Sequence, residues 1–352
     1  MTTRFHSLAW LAWALAAAAV LQVAPSAVYV AVVLLVAVLV VEVHGRWGRL
    51  ARAFPFFLTL GAVFGLVRVT IAALTTHGAG QVLFTLPSAT LPRLLGGFTV
   101  GGTVELEVIL RSASEAFAIV GMIAVFGAWN SVVSHDEVLQ SVPRAFHELG
   151  LIVSVALAFV PATLTSVRAT RDADRARTGG AVVKRGRLVR LVVPVLESGM
   201  ERAVSLSESM DSRGFGHRPP APTEAASAWL GLGALVALGG AFAALVGRAS
   251  STANILGALG VVFTVAAVVV ASRASRRVRY RPRRMTRADW SMAVVSALAP
   301  LVVGVIAISG DTTLTWEPGR LEIPGFNPVV AVALLTLAAP AAFPPRAALA
   351  VT

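Results

Sequence analysis

Eight apolar stretches, each about long enough to cross 30 Å of hydrocarbon, punctuate this chain near residues 7–24, 26–43, 54–74, 104–128, 226–247, 253–272, 289–308 and 327–343. No single water-soluble core can hide that much apolar surface. The chain has 352 residues, 56% of them hydrophobic and 14% charged, with a mean hydropathy of +0.77. These values predict an all-α polytopic membrane protein of about eight transmembrane helices, embedded in the lipid bilayer. Residues 1–24 carry Arg4, an apolar run and small residues near Pro25 and Ser26, as a signal peptide does. A second apolar run follows almost at once, so a retained hairpin of two spans is expected.

The formal charge of +12 would suggest nucleic acid in a soluble protein. In a membrane chain the positive-inside rule assigns it to cytoplasmic loops, and no nucleic-acid partner is expected. Arg46, Arg49 and Arg52 form one such loop. Arg273, Arg276, Arg277, Arg279, Arg281, Arg283, Arg284 and Arg287 form another. Residues 168–218 form the third, with eleven Lys/Arg against six Asp/Glu. Alternating the spans between these loops places both termini in the cytoplasm of a multi-pass plasma-membrane protein. The loop with Asp311, Glu317, Arg320 and Glu322 then lies outside.

One further apolar run, Gly150 to Leu164, breaks this parity if it is counted, because it would put the basic 168–218 region outside. It is therefore expected to be an apolar helix at or just below the inner face, covered by lipid, by the protein's own spans or by another subunit. The expected organisation is a four-span membrane domain (1–128), a cytoplasmic helical coupling domain with two long helices (129–222) and four C-terminal spans (223–352).

Searches for catalytic chemistry return little. Lys184 is the sole lysine and no P-loop surrounds it, so ATP phosphates have no cradle and ATP is no cofactor of this chain. No cysteine is present, the histidines at 6, 44, 77, 135, 147 and 217 are scattered singly, and no GxSxG occurs. No metal site, cofactor or enzymatic activity is expected. Charges inside the spans are more informative, because at bilayer depth they face protein or water. Arg68 lies in the third span, and Glu105, Glu107, Arg111 and Glu115 in the fourth. Arg111 and Glu115 share a helical face, with Glu107 one turn earlier. Two readings stand for Arg68, Glu107, Arg111 and Glu115: an ionic network that locks spans together, or the relay of an ion-gradient-driven secondary transporter.

Two segments carry a more specific signal. The first, ALAFVPATLTSVRATRDADRART (Ala156 to Thr178), ends in Ala176-Arg177-Thr178. The second, VVPVLESGMERAVSLSESMDSRGFG (Val192 to Gly216), contains Ser212-Arg213-Gly214. Together they resemble the paired Ala-Arg-Gly coupling motifs of the transmembrane T component of energy-coupling factor transporters, the CbiQ/EcfT-type family. Ser134 to Pro161 resembles that family's lead into its first long coupling helix, and Gly96 to Phe117 its approach to the fourth span. The likeness covers roughly residues 1–250. The first triplet lacks the family's glycine, the second has serine for alanine, and the three apolar runs after residue 250 exceed the family's usual pattern.

What the resemblance implies is a non-catalytic scaffold of an ATP-driven uptake transporter for a vitamin or a metal ion. Its partners would be two ATP-binding-cassette ATPase subunits, which bind the ATP, and a small substrate-binding integral membrane subunit. Arg177 and Arg213 would meet acidic groups in grooves on the two ATPases, a task suited to a planar and permanently charged guanidinium. A glycine after the arginine would end the helix in a left-handed cap and fix the direction of the side chain. Asp172, Asp174, Glu208 and Asp211 would temper the charge and help set register.

Overall fold

A computed structural model describes residues 5–45, 53–76, 78, 80–90, 99–142, 144–179, 186–214, 222–274, 284–316 and 323–343. The basic loop at Arg46, Arg49 and Arg52, the stretch from Arg276 to Arg283, and His77, Lys184, His217, Glu317, Arg320 and Glu322 lie outside the described residues. The helices are α1 (Ser7–Val23), α2 (Ala27–His44), α3 (Ala53–Thr75), α4 (Leu106–Val132), α5 (His135–Ser141), α6 (His147–Arg177), α7 (Arg187–Asp211), α8 (Pro222–Val246), α9 (Ser250–Ala274), α10 (Arg287–Ile308) and α11 (Pro328–Leu335). Strands β1 (Val82–Thr90) and β2 (Thr99–Glu105) form an antiparallel hairpin between α3 and α4. The helical, multi-span architecture is the expected one; the hairpin is an addition to it. It also moves Glu105 from the fourth span onto the end of β2, one residue before α4 begins.

The chain divides into two compact units, Met1–Ser141 with Arg281–Thr352, and Val142–Tyr280. In the first, α1 is nearly all Ala, Leu and Trp, and its small residues let it bury Trp10, Trp13, Val20 and Leu21 among α2, α4, α10 and the C-terminal segment. A Cβ added at Gly61 or Gly65 of α3 would already touch Val120 or Ala116 of α4, so a small-residue seam lets these two helices come close. After α11 the chain continues as a 3-10 helix (Thr336–Ala342), where Pro340 has no N–H for an α-helical bond. The indole of Trp13 donates to the Leu337 carbonyl at 2.8 Å, satisfying a buried donor and acceptor together.

Both ends of this bundle are tied. At one end Asp289, 1% exposed, accepts from the His6 backbone N–H (2.6 Å), the Thr286 backbone N–H (2.7 Å) and the Thr286 hydroxyl (2.8 Å), closing a capping box on α10. The ring of Phe5 lies against Trp10, His44 and Phe343 at the same end. At the other end Tyr29 Oη accepts from the Asn327 backbone N–H (2.8 Å), and the Ser26 N–H donates to the Leu314 carbonyl (3.2 Å). There Asp311 accepts from the Thr313 backbone N–H and the Asn327 amide, which hold its carboxyl below its ordinary value.

Seven helices are long and apolar enough to cross a membrane by length and composition: α2, α3, α4, α6, α8, α9 and α10. Helix α1 and the segment Pro328–Ala342 are shorter, yet they run between the same two tied ends as α2 and α10. Seventeen residues of α-helix extend about 25 Å, close to the hydrocarbon thickness. Both segments therefore lie alongside their longer neighbours in the same bundle.

Helix α6, whose apolar run is expected not to cross, is one of these seven, and in the second unit it packs against a charged helix. Helix α7 carries Arg190, Glu197, Glu201, Arg202, Glu208 and Asp211, too many charges for a lipid-facing span. Asp174 pairs with Arg190 at 3.2 Å, Ser166 Oγ lies 2.9 Å from Ser198 Oγ, and the Arg202 guanidinium sits 5.9 Å from the centre of the Phe159 ring. These three contacts descend α6 as they ascend α7, so the pair is antiparallel and shares one environment. The other six helices, α1 and the C-terminal segment coincide in position with the eight expected apolar runs, and α6 is a seventh helix long and apolar enough to cross. In the same unit α8 and α9 form a second hairpin, with Gly233 against Phe263, Gly240 against Leu256 and Gly260 against Leu238.

Asp289 gives the fold its most specific test. Asp289→Ala leaves the His6 and Thr286 N–H groups without their acceptor and removes the cap of α10, and should cost about 2–3 kcal/mol. Thermal unfolding of the purified protein in detergent checks this, and Asp289→Asn, which keeps an acceptor oxygen, should lose less.

Candidate functional site

The two triplets close the two long helices of the second unit. Helix α6 is amphipathic toward α7: half-buried residues recur at Leu151, Val155, Phe159, Ala162, Ser166, Thr170 and Asp174, spaced three or four apart. Its last turn ends at Arg177, where the Thr178 N–H donates to the Asp174 carbonyl at 3.0 Å and the Thr178 hydroxyl to the same oxygen at 2.9 Å. Gly179 then turns the chain with a φ of +58°. The glycine absent from the first triplet is thus supplied one residue later. Helix α7 ends at Asp211; the Ser212 N–H donates to Glu208, the Arg213 N–H to Met210 and the Gly214 N–H to Asp211, and Gly214 has a φ of +74°. Each helix therefore stops on a left-handed glycine in open space.

Arginine stands two residues before the glycine in the first end and one before it in the second. One residue of α-helix is about 100° of rotation, so the two guanidiniums leave their helices in different directions relative to the cap. Ala176, Arg177, Ser212, Arg213 and Gly214 are exposed, and Thr178 is half-buried. Among the described residues neither Arg177 nor Arg213 is in an ion pair, so both keep their donors for another molecule. Because α6 and α7 are antiparallel, the arginines sit at opposite ends of the pair, separated by on the order of 35 Å of helical rise.

The four acids have distinct places. Asp174 sets the α6–α7 register through Arg190, with only 17% of its side chain exposed. Asp172 makes a longer pair with Arg175, at 3.8 Å between two exposed side chains. Glu208 contributes its backbone carbonyl to the α7 cap, and Asp211 accepts there from Gly214.

Of the four intramembrane charges the structure brings three together. The Glu115 carboxylate is bonded to the Arg68 guanidinium and, at 3.4 Å, to Arg111 Nε. Glu107 is not among them: its carboxylate covers Gly80, where a Cβ would meet Oε2 at 1.8 Å. Glu105 accepts from the Gly78 N–H (2.9 Å), the Gly80 N–H (3.1 Å) and the Thr103 hydroxyl (3.3 Å), holding the root of the hairpin. No group of His, Cys, Asp and Glu among the described residues could hold a metal ion. The arrangement is suited to docking acidic groups and to fastening helices.

Comparison with known proteins gives a family. The model of the family CbiQ, cobalt transport protein, matches residues 3–224. The energy-coupling factor transporter transmembrane protein EcfT of Bacillus selenitireducens is 28% identical over 157 residues, 43% of this chain and 57% of that protein. The protein of the same name from Leuconostoc gelidum is 30% identical over 91 residues, 24% and 34% of the two chains. That of Lactococcus lactis is 29% identical over 82 residues, 22% and 31%. The chain thus spans less than two thirds of the length of each of these relatives.

Glu115 is the carboxylate that both guanidiniums share, so Glu115→Gln orphans two cations and should cost on the order of 1–3 kcal/mol. Joint replacement by Arg68→Met, Arg111→Met and Glu115→Gln removes every member of the cluster and should be milder. Melting temperatures in detergent rank the two. Transport lost by a folded triple variant would instead give these charges a direct part in moving an ion.

Proposed function

The chain belongs to the CbiQ family of cobalt transport proteins, and on that premise we propose that it is the non-catalytic transmembrane coupling subunit of an ATP-driven energy-coupling factor transporter. Two ATP-binding-cassette ATPases would take the ends of α6 and α7, and a small membrane subunit would bring the substrate, a vitamin or a transition-metal ion. The observation that carries this reading is the pair of exposed arginines, Arg177 and Arg213, without an ion pair among the described residues, each on a glycine-capped helix end and held apart by an antiparallel helix pair. Two separated anchors suit two ATPases. When these close on ATP, a connected α6–α7 unit would move as one body, because Asp174–Arg190 and Ser166–Ser198 fasten its helices along their length.

The apolar faces of the same helices support the third partner. Ile152, Val160 and Leu164 of α6 and Val189, Leu196, Met200 and Val204 of α7 are all more than half exposed. A surface of this kind marks an interaction site with protein or lipid. In this reading residues 129–222 form the coupling domain on the cytoplasmic side, with both chain termini on that side.

Arg177→Ala or Arg213→Ala should each cost on the order of 2–5 kcal/mol of local interaction with an ATPase groove. The double variant should insert normally and lose ATPase binding and ATP-dependent uptake. Wild-type binding and coupling by the purified double variant would overturn the assignment.

A further inference from the structure

The β1–β2 hairpin has no part in the coupling reading, and its chemistry is unusual for an aqueous loop. All nine residues of β1 are exposed. Val82, Leu83 and Phe84 are consecutive and each more than half exposed, so no single buried face can take all three. No charged residue occurs in Val82–Thr90 or from Thr99 to Val104. Among the described residues strand β1 is also an edge strand, paired on one side only, with β2. Soluble proteins guard such edges with charge, and this one has none.

The surroundings narrow what can cover it. Strand β2 runs into α4 without an intervening residue, and α3 ends at Thr75, seven residues before β1. Glu105 fixes the root by bonding Gly78 and Gly80. Leu66, Val67 and Ile71, toward the same end of α3, present an exposed apolar surface that only lipid or protein can meet. The hydrocarbon centre is closed to β1, because its unpaired backbone groups would find no partner there. Bulk water is unfavourable for Val82, Leu83 and Phe84. A partner strand would pair the edge and still leave those side chains uncovered. The headgroup–acyl boundary meets both demands, with water and lipid oxygens for the backbone and acyl chains for the side chains.

The geometry points to β1 as a membrane-surface anchor that lies in the headgroup–acyl boundary of the leaflet where α3 ends and α4 begins. Held there, it resists rotation of the α3–α4 pair about its long axis. This inference is independent of the coupling role. The cysteine-free chain allows a direct test. Phe84→Cys and Leu83→Cys, each labelled with bimane, are reconstituted as the full-length protein in phosphatidylcholine vesicles. The vesicles carry nitroxide on the headgroup or near the top of the acyl chain. An about twofold loss of emission with either nitroxide lipid, and little loss with aqueous iodide, is expected at both positions. Quenching by iodide alone would place β1 in water and overturn the proposal. Protection from both quenchers would show a protein cover, a second copy or a partner subunit, and would overturn it equally.

Discussion

Hydrocarbon tolerates charge only where another group answers it, and that constraint orders this structure. Helix α6 shows it best. Its apolar composition would let it cross the bilayer, yet it is fastened to α7 by Asp174–Arg190, by Ser166 and Ser198, and by Arg202 over Phe159. A helix with the charges of α7 cannot follow it into lipid. The polar contacts therefore tie α6 along its length to a charged neighbour, up to the turn that carries Arg177. Elsewhere the same constraint is met by neutralisation: Glu115 of α4 is shared by Arg68 of α3 and Arg111, close in sequence to the seam of Gly61 and Gly65.

Much of this was legible in the residues because bilayer crossing is a property of composition over a window. The eight apolar runs became helices close to their expected bounds, and the arginine triplets fell at helix ends. Less legible were features that depend on distant partners. Asp289 reads as an ordinary first-turn acid until the fold brings His6, 283 residues away, onto its carboxylate. Glu107 has the right helical spacing to join Arg111, but the hairpin places Gly80 beneath it. VLFTLPSAT lacks the polar alternation of a half-buried strand, so nothing in Val82–Thr90 announced β1. Gly179 lies one residue beyond the triplet, and only its left-handed φ identifies it as the missing cap.

The C-terminal third gains a clearer place. The family match stops at residue 224, but α10, α11 and the 3-10 segment after them pack into the same unit as α1 and α2, with Trp13, Asp289 and Tyr29 bridging the two parts of the chain. They complete the N-terminal bundle. Helices α8 and α9 are different: they pair through small residues in the second unit and present Trp229, Phe242, Ile255 and Val261 outward, as a hairpin in lipid would.

The proposed coupling role requires α6 and α7 to stand together on one side of the membrane. Single cysteines at Thr165 on α6 and Ser205 on α7, both exposed in the native cysteine-free chain, can be challenged with an impermeant maleimide in right-side-out and inside-out vesicles. Both should react in inside-out vesicles and be protected in right-side-out ones. Reaction of the two from opposite sides, or failure of position 165 to react from either, would make α6 a membrane crossing and contradict the account.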